Sequence, residues 1–103
     1  MLNAESEAVF VNVIEVDPNR YEELIAIVKE GNDRVIRRRA GFVSAFIATT
    51  ADSARIVTVA RWKSADSIKA LQGDPVVAEY VKRTAAVAKA NPIVFTVVAE
   101  YLP

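Results

Sequence analysis

Residues 8–16 read AVFVNVIEV, and Asp17 and Pro18 follow. Apart from Asn12 and Glu15 the stretch is β-branched, aromatic or alanine, which predicts a strand covered on both faces. Asp17 and Pro18 end it and open a helix, because an aspartate accepts from first-turn N–H groups and proline is preorganised for the first helical position. Tyr21, Leu24, Ile25, Val28, Val35 and Ile36 then recur at helical spacing. The helix is predicted to run about five turns, to Arg38 or Arg39. Gly41, just beyond, supplies a left-handed residue to close it.

Working outward, residues 42–50 and 55–63 are two further strand-like segments, and the short polar link Ala51-Asp52-Ser53-Ala54 predicts that they pair as an antiparallel hairpin. Ser64 caps a short helix carrying Ile68 and Leu71. Gly73 breaks the chain, and Asp74-Pro75 starts a helix with the apolar stripe Val77, Tyr80, Val81, Thr84, Val87 and Ala88. Asn91-Pro92 ends that helix, and residues 93–101 read as a last strand. Strand, helix, strand, strand, helix, strand is the split βαβ order. It predicts an α+β, ferredoxin-like βαββαβ domain with a four-stranded antiparallel sheet and its helices on one face. Residues 1–7 read as a polar N-terminal tail and 8–103 as the single domain.

The composition fits one small globular domain: 103 residues, 52% apolar, with 13 basic and 13 acidic side chains and formal net charge +0. It contains no histidine and no cysteine. Ser-His-Asp and Cys-His triads, thiolate nucleophiles, Cys or His zinc sites and His-ligated haem are excluded with them. The carboxylates Glu22, Glu23 and Asp66 fall at helix starts, where they complement the helix dipole and suggest no metal cage. Gly31, Gly41 and Gly73 are isolated, so no phosphate-cradling loop is present. The balanced charge argues against a nucleic-acid partner, and Arg37-Arg38-Arg39 is read as a solvated helix end. Apolar runs fall far short of the roughly 18 to 20 residues that span a bilayer, and no secretory signal opens the chain. A cytoplasmic address is expected.

Side chains alternate across a strand, so the strands can be divided by parity. One class holds Val9, Val11, Val13, Val43, Ala45, Ile47, Val57, Val59, Val94 and Val98; the other holds Phe10, Asn12, Ile14, Phe46, Ile56, Thr58, Ala60, Trp62, Ile93, Phe95 and Val97. Both are mostly apolar, whereas a sheet with one wet face should be polar on one parity. The valine-rich class therefore needs a cover, and a second copy packed sheet to sheet about a two-fold axis supplies it. A homodimer through the sheet faces is expected, forming a dimeric α/β barrel.

The alternate class is expected to face the helices and line a pocket, with Asn12, Thr58 and Trp62 among the rings of Phe10, Phe46 and Phe95. An asparagine is out of place in AVFVNVIEV, because a buried amide without partners costs roughly 1 to 3 kcal/mol. It either satisfies a neighbouring backbone group or meets a ligand. Trp62 offers an indole N–H on an apolar plate, although taken alone such a residue more often fills the core. Thr58, on the same face, adds a hydroxyl.

These residues resemble the antibiotic biosynthesis monooxygenase family from about Val9 to Val98. The resemblance rests on Phe10-Val11-Asn12, the Ala40-Gly41-Phe42-Val43 step, Trp62 followed by Lys63-Ser64, and the Asp74-Pro75 helix start. It implies a dimeric α/β barrel that oxidises an electron-rich aromatic, anthrone-like or polyketide, to a quinone with O₂ and without flavin, haem or metal. It assigns donor roles to Asn12 and Trp62, with Thr58 in place of a second asparagine. Phe10, Phe46, Ile68, Tyr80, Val81 and Phe95 are expected to contact the substrate. Ile68 stands where some members have a tyrosine, and Val81, beside Lys82 and Arg83, where they have an arginine. A non-catalytic ligand-binding or interaction module on the same fold is the alternative.

Overall fold

A computed structural model describes residues 7–103. The expected tail thus lies outside the described residues except for Glu7. Strands β1 (Ala8–Glu15), β2 (Phe42–Thr49), β3 (Arg55–Trp62) and β4 (Pro92–Thr96) form one sheet in the order β2-β3-β1-β4, every neighbouring pair antiparallel. Helices α1 (Tyr21–Arg34), α2 (Ala65–Lys69) and α3 (Pro75–Ala85) complete the expected ferredoxin-like order. No described helix is long and apolar enough to cross a membrane.

The helix starts are set by the anticipated caps. Asp17 accepts from the Asn19 N–H at 2.9 Å ahead of a 3-10 turn at Pro18–Arg20 that leads into α1. Ser64 accepts from the Ser67 N–H, and Asp74 Oδ1 from the N–H groups of Val76 and Val77 at 2.9 and 3.3 Å. Each satisfies donors that a first turn leaves without intrahelical partners. Gly41 takes φ +87°, and a Cβ there would meet Ser67 Oγ at 2.2 Å, so both conformation and space demand glycine.

Three elements are shorter than predicted, among them the second long helix, which ends at Ala85 and not at Asn91. At Val35 the backbone leaves the helical region (φ −121°, ψ −68°), and Ile36–Arg38 rewinds as a 3-10 turn that brings Ile36 against the Trp62 cluster. The last strand ends at Thr96, not Tyr101, because its partner runs out: Thr96 pairs with Ala8, the first residue of β1. One more bond follows, from the Val97 N–H to the Glu7 carbonyl at 3.1 Å.

The register also corrects two strand faces. A bulge between Phe42 and Ser44 sets Ala45, Phe46 and Ile47 opposite Ala60, Val59 and Thr58. One extra residue on one strand inverts the phase beyond it. Ala45 and Ile47 therefore face the helices, and Phe46 faces outward, 58% exposed. In β4, Phe95 pairs with Val9, Ile93 with Val11 and Val94 with Phe10. Phe95 and Ile93 thus belong to the outer face and Val94 to the inner one, the reverse of the parity expected from sequence.

Candidate active site

Buried apolar side chains under the helices gather in two clusters, one toward each end of the central strands β1 and β3. β1 gives Ile14 and Val16 to one cluster and Ala8 and Phe10 to the other, with Asn12 between them. β3 gives Ile56 to the first and Ala60 and Trp62 to the second, with Thr58 between. Along α1 and its continuation, Leu24 and Val28 join the first cluster and Ile36 the second, with Gly31 between. On the α2–α3 side Ile68 and Leu71 belong to the second and Val87 and Ala88 to the first, with Tyr80 between. A seam thus separates the clusters, marked in the sheet layer by the hydrogen-bonding side chains of Asn12 and Thr58.

Asn12 and Thr58 are brought together, directly opposed across the central β1–β3 pair. Opposed residues in such a pair have Cα atoms about 4.5 to 5.5 Å apart. The Asn91 N–H donates to Asn12 Oδ1 at 3.0 Å, where β4 begins with a proline that has no N–H of its own. The asparagine carbonyl is therefore committed to backbone, as one of its two readings anticipated. The same bond fixes the plane of the amide and leaves Nδ2 to donate elsewhere. Thr58 is buried at 8% exposure and adds a hydroxyl beside it.

Trp62 shares their face but not their neighbourhood. It lies four residues from Thr58, about 13 Å at 3.3 Å per residue. At 1% exposure it is among the most buried side chains, edge-on to Phe42 with ring centroids 5.4 Å apart. Phe10 and Ile68 pack in the same cluster and bound the seam on that side. Phe46 and Phe95, expected in the pocket, are on the opposite face of the sheet for the register reasons above. Val81, also expected there, is 57% exposed and joins neither cluster. Tyr80 packs its ring on Gly31: a Cβ at Gly31 would lie 2.1 to 2.4 Å from the ring atoms. An isolated glycine inside a helix was the signal for that contact, but its partner on α3 could be named only from the fold.

The roof over the Trp62 cluster is fastened by an ion pair. Arg39 Nε lies 2.6 Å from Asp74 Oδ2, joining the chain after α1 to the cap of α3. Burial acts to raise the Asp74 pKa, but the N–H groups of Val77 and Val76 together with Arg39 outweigh it and hold the carboxyl below its ordinary range. A depressed folded-state pKa contributes stability above the unfolded value of about 3.9 and loses it as pH falls through the folded one. Asp74→Asn keeps an acceptor for the cap and removes the charge. The Tm gap between wild type and Asp74→Asn is expected to be open at pH 7 and to close below about pH 4. A gap independent of pH would show that the charge contributes nothing.

A hollow of about 420 Å³ lies at the far end of the sheet among Glu15, Asp17, Thr50, Asp52 and Arg55. Its two aspartates are engaged in local turns: Asp52 accepts from Thr50 Oγ1 at 2.7 Å and from the Ala54 N–H at 3.0 Å, and Asp17 caps the turn before α1. Among the described residues no three acidic side chains converge as a metal site.

Residues 8–83 match the family model described as antibiotic biosynthesis monooxygenase. Tetracenomycin-F1 monooxygenase of Streptomyces glaucescens is 30% identical over 83 residues, 81% of this chain and 74% of that protein. A monooxygenase structure from Streptomyces coelicolor in complex with nanaomycin D superposes with TM-score 0.83 at 23% identity, covering 98% of this chain and 96% of that one. SnoaB, a cofactor-independent oxygenase from Streptomyces nogalater, gives TM-score 0.74 at 22% identity over 95% of this chain and 98% of its own.

Proposed function

Since the chain belongs to the antibiotic biosynthesis monooxygenase family, we propose that it oxidises an electron-rich, fused-ring phenol of the anthrone type to a quinone with O₂, using no cofactor. The observation that carries this reading is the seam: an oriented amide and a hydroxyl, Asn12 and Thr58, opposed between two apolar clusters. A flat apolar molecule with oxygens on its rim suits such a place. The relatives support the class: a cofactor-independent oxygenase, a tetracenomycin-F1 monooxygenase and a monooxygenase holding nanaomycin D.

The chemistry needs little from the protein because the substrate supplies the electrons. An anthrone loses a proton from its central CH₂ to give a delocalised anion with the negative charge largely on oxygen. Donors aimed at that oxygen favour the anion, and Asn12 Nδ2 and the Thr58 hydroxyl are placed to act so. The anion passes one electron to O₂, and the resulting radical pair joins as a hydroperoxide at the same carbon. Loss of water leaves the carbonyl. One oxygen atom enters the product and the other leaves as water, so CH₂ plus O₂ becomes C=O plus H₂O. The apolar clusters on either side keep bulk water from the intermediates. Trp62 closes the far end of the site, where its indole N–H is assigned to an oxygen on the opposite rim of the ligand from the one that Asn12 and Thr58 meet.

In the proposed assembly two copies pack outer face to outer face, which hides the valines of β1 and β3 together with Phe46 and Phe95. The test of the reaction is oxygen uptake with dithranol, using EDTA-treated protein. One O₂ consumed per anthrone, with the matching hydroxyanthraquinone as product and a loss of about tenfold or more in Trp62→Phe, is the expected result. No turnover, in a protein that still binds the quinone, would make the chain a ligand-binding module instead.

A further inference from the structure

We propose that the Tyr80 phenol is a third substrate-contacting donor, supplied from the helix layer, and that Gly31 is the residue that positions it. The proposal rests on the oxidative reading above and adds a residue to it. Its basis is the level at which the interior divides. In the sheet layer Asn12 and Thr58 stand between the clusters; in the helix layer Gly31 falls between them along α1, and the Tyr80 ring packed on it brings α3 in at the same point. A ligand lying in the seam would have the amide and the threonine hydroxyl on its sheet side and the Tyr80 ring on its helix side.

The local packing was built around this ring. Glycine inside a helix costs roughly 1 kcal/mol relative to alanine, and Gly31 is buried in α1 with the Tyr80 ring in the space a Cβ would fill. The Cε1, Cδ1 and Cζ atoms would all lie within 2.4 Å of that Cβ, so even alanine must displace the ring. Thr84, the other hydroxyl on this side, donates to the Tyr80 carbonyl at 3.1 Å, and its side chain also lies within hydrogen-bond reach of the Tyr80 phenol, which leaves the phenol O–H free to donate. Burial raises the Tyr80 phenol above its ordinary pKa, so it stays protonated and acts as a donor rather than a base.

The experiment uses 1,8-dihydroxyanthraquinone as a bound dye whose visible band moves red on ionisation, alongside dithranol turnover. A donor beside the ligand oxygen favours its ionised form. Tyr80→Phe, which keeps the ring and removes the hydroxyl, is expected to lower the acid dissociation constant of the bound dye about tenfold. It is also expected to lower kcat for dithranol by ~10-fold or more with little change in KM. Gly31→Ala should reproduce both effects, and Gly31→Ala/Tyr80→Phe should be no worse than Gly31→Ala alone, because both remove one interaction. An unmoved dye constant and kcat in Tyr80→Phe, with Asn12→Ala moving both, overturns the role of Tyr80 and leaves the oxidation standing. Dye binding without turnover in the wild type rejects the oxidation, and the dye constant then decides Tyr80 alone. A wild type that does not bind the dye overturns both.

Discussion

Asn12→Ala is expected to lower kcat for dithranol oxidation by ~10² or more, the loss seen when one preorganised donor to a developing oxyanion is removed. Asn12→Asp is expected to be worse than Asn12→Ala, and that ranking separates a catalytic amide from a structural one. The carbonyl oxygen of Asn12 accepts from the Asn91 N–H. Aspartate preserves that bond and the shape of the side chain, but it turns the Nδ2 donor into a second acceptor carrying negative charge. If Asn12 only anchors the start of β4, aspartate should serve almost as well as asparagine, and alanine should be the damaged variant. If Nδ2 stabilises substrate anion, aspartate repels what it should attract. Alanine merely admits water, which can still donate. Oxygen-electrode kcat and KM for the three proteins, with Tm as a folding control, give the order directly. Asp within threefold of wild type removes Asn12 from the chemistry.

The anomaly at Asn12 was legible because a strand has a period of two and a preferred composition, and an amide in the middle of AVFVNVIEV breaks both. The caps at Asp17, Ser64 and Asp74 and the turn at Gly41 were legible for the same local reason: each answers a need of the backbone within a few residues. Faces were legible only where alternation ran unbroken, in β1 and β3. Period fixes alternation but not phase, and the phase of β2 depends on an extra residue at Val43 while that of β4 depends on where it docks along β1. Phe46 and Phe95 were therefore assigned to the wrong side, although both belong to strands that were recognised. The seam was not legible at all. Both halves of the interior are apolar at the same periodicity, and their separation exists only once Val28, Ile56 and Ile14 meet at one end and Trp62, Ala60 and Ile68 at the other.

Val11→Glu is expected to convert the proposed dimer to a monomer at micromolar concentration while leaving the helix-side face intact. Val11 is on β1, one of the two inner strands, opposite Val59 on β3 and Ile93 on β4. Phe46, Ile93 and Phe95 around it are 58%, 47% and 49% exposed, and Val13 is 37% exposed. Soluble monomers rarely leave contiguous apolar patches of more than a few hundred Å² in water. Arg61, on this face, is already paired within the chain, with Glu7 and, at 2.8 Å, with Glu100. The net charge of the chain is +0. The face therefore calls for an apolar cover rather than a charged one, and a second copy presents the same valines and phenylalanines. In a two-fold interface one substitution acts twice. An unpaired carboxylate forced from water costs several kcal/mol, so two at the centre weaken association by about 6 kcal/mol, on the order of 10⁴-fold in Kd. Sedimentation velocity of wild type and Val11→Glu from about 1 to 100 μM reads this directly. Turnover measured on the monomeric variant then tells whether the seam, which each chain builds from its own residues, works without the twin. A wild type that sediments as a monomer across that range would leave the apolar face without its proposed cover.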